Sequence, residues 1–277
     1  MPTPTATMFD YDFMRTAFLA GGLVAVVAGA VGFFLILRNL TFAGHALSHV
    51  GFAGATGAVL VGAPPLWGLL AFTLAAAVVM GLLGERLRGR DVAVGIILAL
   101  ALGLGVLFLS LYTSHATQAT AILFGNVLGV DPGTVWALLA LTVVSLGALA
   151  FIARPLLFAT LSPELAEAKG VSLRLVSILF LAVVAIAVAE AAQIVGVLLV
   201  FALMVGPAAT SLRVTSRVGW GVGLAVLLAL TETWVGIALA YLTDAPTSFW
   251  IVLLSCSGYF LSLPIRPGRS RPRPDPH

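Results

Sequence analysis

Nine runs of apolar residues divide the chain, and nearly all of its charges lie in the short stretches between them. The runs fall near 13–37, 42–62, 66–84, 92–111, 133–153, 173–190, 194–209, 218–241 and 248–264. A stretch of about 20 apolar residues is what a helix needs to cross about 30 Å of hydrocarbon. Inside hydrocarbon each backbone polar group must find its partner within its own segment, so these runs are expected to be helices. The predicted fold class is all-α: a polytopic membrane helix bundle of about nine transmembrane helices. Pro64 and Pro65 separate the second run from the third, and Asp131-Pro132-Gly133 and Asp244 to Pro246 mark two further turns. The run 194–209 is short and reads equally as a half-helix, which leaves eight spans as the alternative.

Composition supports the same picture. Of the 277 residues, 61% are hydrophobic and 9% charged, whereas soluble domains carry about 25% charged residues. That is too few charges to cover a water-facing surface. Cys256 is the sole cysteine, so no disulfide within the chain is expected. Residues 1–12 hold Asp10 and Asp12 and no basic side chain, which is unlike the positively charged start of a cleavable signal peptide.

Charge then sets the orientation, because Lys and Arg collect in cytoplasmic loops. With the N-terminus outside and the C-terminus cytoplasmic, the inner segments hold 13 of the 14 basic residues, and only Arg15 lies at the outer edge. The last residues, 265–277, form a basic tail rich in Arg and Pro on the cytoplasmic side.

Ionisable residues within spans are costly and therefore functional candidates. His45 and His49, in Gly44-His-Ala-Leu-Ser-His49, are four apart and share one helix face with Ser48 beside them. Two imidazoles on one face can ligate a transition metal, or can hydrogen-bond to neighbouring helices and hold the bundle together. Glu232 sits near the middle of the eighth run, where a carboxylate should face the bundle interior or a water-filled path. Glu190 and Gln193 fall where the sixth run meets the seventh, close to the outer surface; a solvated turn and a place in an outer vestibule both fit them. His115 reads as a surface residue and Asp91 as the cap of the fourth helix. No phosphate-binding loop of the Gly-x-x-x-x-Gly-Lys-Ser/Thr type and no His-Glu-x-x-His signature is present, so any ATP that drives this protein is expected to be bound by another subunit.

The longest inner loop, 154–172, contains Ser162-Pro-Glu-Leu-Ala-Glu-Ala-Lys-Gly170. Ser162 can cap a short helix with Pro163 and Glu164 in its first turn and Gly170 as its stop. A short helix on the cytoplasmic face can dock a partner or serve as a plain connector. This segment resembles the coupling segment of ABC importer permeases. Five stretches resemble the metal-importing ABC-3 permease family in that family's order: Phe13-Met-Arg-Thr-Ala17; Leu35-Ile-Leu-Arg38 with Gly44 to His49; Asp91-Val-Ala-Val-Gly-Ile96; Leu123-Phe-Gly-Asn-Val-Leu128; and Gly196-Val-Leu-Leu-Val with Val205-Gly-Pro-Ala-Ala-Thr210.

The resemblance implies a permease domain over 1–264, without an ATP site of its own, in the bacterial plasma membrane. It implies a second permease copy, a cytoplasmic ABC ATPase subunit that docks on Ser162, Pro163, Glu164, Ala168 and Gly170, and an extracytoplasmic metal-binding protein. Membrane lipid would surround the pair, and nucleic acid has no part. The transported ion would be a divalent metal, with no cofactor held stably. His45, His49 and Glu232 would line its path. Two positions depart from the family pattern. The family usually has an acidic residue where this chain has His45, and an imidazole there would favour zinc ahead of manganese or iron. It also more often has a bulkier residue than Gly206 before Pro207. The rival expectations are an ion-coupled secondary transporter, with Glu232 and the histidines relaying protons, and an ABC permease for a metal chelate or other small solute.

Overall fold

The computed structural model describes residues 8–83, 90–111 and 123–264. His115, Arg86, Arg88 and the tail 265–277 lie outside the described residues. Ten α-helices are bounded within the described residues: α1 Asp12–Leu37, α2 Thr41–Leu60, α3 Pro65–Leu83, α4 Arg90–Ser110, α5 Pro132–Leu161, α6 Pro163–Ala168, α7 Leu173–Val195, α8 Val200–Val214, α9 Val218–Thr243 and α10 Thr247–Ser262. No strand occurs among the described residues.

Six helices, α1, α3, α4, α5, α7 and α9, are long and apolar enough to cross a membrane. The helices α8 and α10 are shorter, at 15 and 16 residues. With 20 residues α2 has the length, but His45, His49 and its glycines dilute its hydropathy.

Burial follows composition. The two innermost helices are α1 and α7, with 78% and 72% of their most apolar window buried, against 17% for α4. On one side of α1 lie α8 and α9, with α10 packed on both of these; on the other, α7 packs on α2, α3 and α5. Large side chains at these seams would force the helices apart, and several seams carry glycine instead. A Cβ at Gly54 of α2 would collide with the backbone of Gly68 on α3, and one at Gly32 of α1 with the Met204 backbone on α8.

Several boundaries differ from the sequence expectation, among them the seventh run, which is helical over Val200–Val214, and two of them bear on the site. First, the helix expected to stop at 190 runs unbroken through Glu190 to Val195, because the carboxyl is satisfied by hydroxyls of α5. The break falls instead at Gly196, whose φ of 79° suits glycine. Second, α5 does not end at 153 but continues through Pro155 to Leu161. Its 30 residues span about 45 Å. That exceeds a hydrocarbon layer of about 30 Å, so its last turns project beyond it. The start of α5 is fixed by Asp131, whose carboxylate accepts from the Thr134 amide at 2.9 Å and hydroxyl at 2.6 Å. These donors hold Asp131 below its ordinary pKa.

Candidate functional site

Most of α2 is buried, but Phe42, His45 and His49 form a partly accessible stripe along it. The four-residue spacing stacks the two imidazoles on successive turns. Their ring centroids are 4.7 Å apart with planes at 85°. Phe201, in the first turn of α8, packs edge-on against His45 at 5.3 Å. His45 Nδ1 is buried with no hydrogen-bond partner among the described residues. Ser48 does not join the pair chemically, since its hydroxyl donates to the His45 carbonyl at 2.7 Å within its own helix. The site is thus two imidazoles on a helix of small residues, one with an unpartnered buried nitrogen, and an aromatic ring beside them. It can offer two nitrogen donors to a cation.

Glu232 is buried, 7% exposed, on α9 against Ser255 and Gly258 of α10. Ser255 in turn donates to the Ala202 carbonyl of α8 at 3.0 Å. Glu232 therefore shares a seam with α10 and does not join the histidines: no group of three or more His, Cys, Asp or Glu side chains converges among the described residues. One of its carboxyl oxygens, Oε2, has no hydrogen-bond partner there.

Beyond the far end of α5, α6 makes a single turn and a half between two spans. Ser162 stands at its N-cap, though its hydroxyl makes no capping bond, and Pro163 opens the helix. Gly170 ends it with φ 82°, its amide bonding the Glu167 carbonyl at 2.9 Å. Ala166 is fully buried and seats the helix on the bundle, while Glu164, Leu165 and Ala168 face outward. Leu161 and Leu165, at 72% and 60% exposed, present bare apolar surface on the outer side.

Two features of the site have no signal in the sequence, and a third, Glu190, lies elsewhere than expected. Phe201 and the outward leucines gave no local signal, as each sits in an ordinary apolar pattern. Glu190 did give one: it is the sole acid in 173–195, and Thr142 and Ser145 are a polar pair three apart in another apolar run. Glu190 is fully buried rather than at a solvated turn.

The protein is, then, a helical membrane protein with a histidine pair on a glycine-rich helix and a short outward-facing helix between two long spans. It matches the model of the ABC 3 transport family over residues 10–266 and belongs to that family, as a multi-pass protein of the cell membrane. Among known proteins it is similar to the "Manganese transport system membrane protein MntC" of Listeria monocytogenes, with 26% identity covering 94% of this chain and 93% of the relative. It is 35% identical to the "Probable metal transport system membrane protein" of Treponema pallidum, over 87% of this chain and 91% of the relative. Among solved structures it is similar to PsaBC from Streptococcus pneumoniae in complex with Fab, with a TM-score of 0.84, 26% identity and 94% of each chain covered.

Proposed function

We propose that this chain is the membrane-spanning subunit of an ATP-driven importer of divalent transition-metal ions. Membership of a transport family whose relatives are named for manganese and metal transport supports the reading. The observation that carries it is the accessible His45–His49 pair with an unpartnered buried nitrogen. A buried polar atom left without a partner costs free energy, and a passing cation offers that partner.

Two nitrogens are too few to hold a transition metal alone, since such ions take four or more ligands. A second copy of the chain, related by a two-fold axis near α2, would bring the donors to four. We therefore assign a homodimer, with the ion crossing between the copies at a weak site from which it can leave. The N-terminus lies outside, the nine apolar helices cross or enter the bilayer, and α6 lies on the cytoplasmic side. There Glu164, Leu165, Ala168 and the Gly170 turn receive an ATPase subunit. A soluble metal-binding protein delivers the ion to the opposite face.

An imidazole donor set without a carboxylate suits zinc better than manganese. The names of the relatives favour manganese as the second reading. The test is uptake by proteoliposomes holding this chain and its ATPase, supplied in turn with Zn²⁺, Mn²⁺, Fe²⁺ and a metal chelate. ATP-dependent entry of free ions, zinc first, is expected. Uptake of the chelate alone, or uptake without ATP, would refute the proposal.

A further inference from the structure

Two buried acids, Glu190 and Glu232, have no place in that mechanism, and Glu190 is the one bonded through both oxygens to another helix. Glu190 is completely enclosed between α5 and α7. Each of its carboxyl oxygens accepts a hydrogen bond from α5, Oε1 from Ser145 at 3.0 Å and Oε2 from Thr142 at 3.1 Å. The buried stripe of α5 runs Leu138, Thr142, Ser145, Leu149, Ile152 and Leu156, at spacings of three and four. That stripe is polar only where Glu190 arrives.

We propose that Glu190 is a positioning residue that ties the far end of α7 to the middle of α5, so that the α5–α6–α7 hairpin moves as one body and passes displacements of α6 to the histidine pair. The inference rests on the docking role given to α6 above.

At one end, α5 and α7 are joined covalently through residues 162–172. The polar tie lies 16 residues up α5 from Leu161, at Ser145, which is about 24 Å at 1.5 Å per residue. Two helices held at two points that far apart cannot splay independently between them. Between the two ties α5 contains Pro155, which removes an internal hydrogen bond and makes that helix alone easy to bend. Without Glu190, a push on α6 would be absorbed there.

The tied end leads to the histidines by the shortest covalent route. Six residues after Glu190 the chain turns at Gly196, which packs on Gly125 so closely that a Cβ at either would strike the other's backbone. The Leu198 amide donates to the Leu123 carbonyl at 3.2 Å, holding this turn in place. Two residues further α8 begins, and its Phe201 rests on the His45 ring. Movement of the end of α7 is therefore movement of the ring beside the proposed metal donors. A packed, contiguous path of this kind can carry coupling between the two sites.

The test uses the permease–ATPase complex in proteoliposomes, measuring metal uptake and ATP hydrolysis in one sample. Their ratio, ions moved per ATP, does not depend on how much protein folded. Glu190→Ala should lower the ratio by about fivefold, within the range seen for mutations along coupling networks, with ATPase association unchanged. Glu190→Gln, which can still bond to both hydroxyls, should restore most of it. The pair Thr142→Val and Ser145→Ala should reproduce the loss, and adding Glu190→Ala should deepen it little. If Glu190→Ala does not assemble, Ser145→Ala alone, which removes one of the two bonds and leaves the acid in place, decides the matter by its ions moved per ATP. An unchanged ratio in these variants overturns the proposal. So does a Glu190→Gln variant that behaves as Glu190→Ala with a shifted metal concentration dependence, because Glu190 would then be an ion ligand. A wild-type complex that moves no metal refutes the function proposed above instead.

Discussion

The outward face of α6 gives a sharp quantitative expectation. Leu165 is 60% exposed and Leu161 72%, whereas Ala166, next to Leu165, is fully buried against the bundle. Burying a leucine side chain completely contributes about 1.5–3 kcal/mol. Covering the exposed fraction of Leu165 under a partner would then contribute about 1–2 kcal/mol, which is roughly 5- to 30-fold in affinity. Leu165→Ala should weaken binding of the ATPase subunit by that factor, and Leu165→Asp by more, since a charge would be desolvated at the seam. The bundle itself should be untouched, because Leu165 contributes little to its packing. The assay is ATPase binding to the purified chain in nanodiscs, read beside a thermal melt of the chain alone. Because the contact is apolar, salt should change it little. Glu164→Lys should act through charge, with a small effect that salt screens. Full-strength binding to a well-folded Leu165→Asp chain would refute a docking role for α6 and leave it a connector.

Three further outcomes follow from the same geometry. With Cys256 removed, a cysteine at exposed Asp244 should react with an impermeant thiol reagent in intact cells, and one at exposed Lys169 only after permeabilisation; the reverse would invert the assigned orientation. Gly196→Ala should reduce the yield of folded protein, since its backbone conformation costs a non-glycine residue about 1–3 kcal/mol and its Cβ would meet Gly125; a melt equal to wild type would contradict this. Gly54→Leu should separate α2 from α3, at a cost on the order of 1–3 kcal/mol or more from overpacking; the readout is the thermal midpoint in detergent.

The helices were legible because hydrocarbon leaves the backbone no alternative, so each long charge-free run had to be helical. The histidine pair was legible for the same reason: a four-residue spacing on a helix puts two side chains on one face whatever surrounds them. What the sequence could not supply was partnership across helices. Glu232 and the histidines are far apart in sequence, and periodicity within each helix is silent on which seam each one enters; the fold puts Glu232 against α10. Glu190 looked like the edge of a turn because an acid in an apolar run usually marks an end. Its partners Thr142 and Ser145 are 48 and 45 residues away, and only their meeting lets the helix continue. Gly196 then serves as the stop, a role its backbone conformation makes clear and its one-letter neighbourhood does not.

The central claim is that metal ions pass by His45 and His49. The most direct measurement is ATP-dependent zinc and manganese uptake by proteoliposomes containing the His49→Ala chain, normalised to the amount of ATPase bound. The side chain is partly accessible and its neighbours are small, so its loss should leave assembly intact. Uptake should fall by about tenfold or more, the scale on which even outer-shell partners of a metal matter. Uptake at the wild-type rate in the fully assembled complex would contradict the claim.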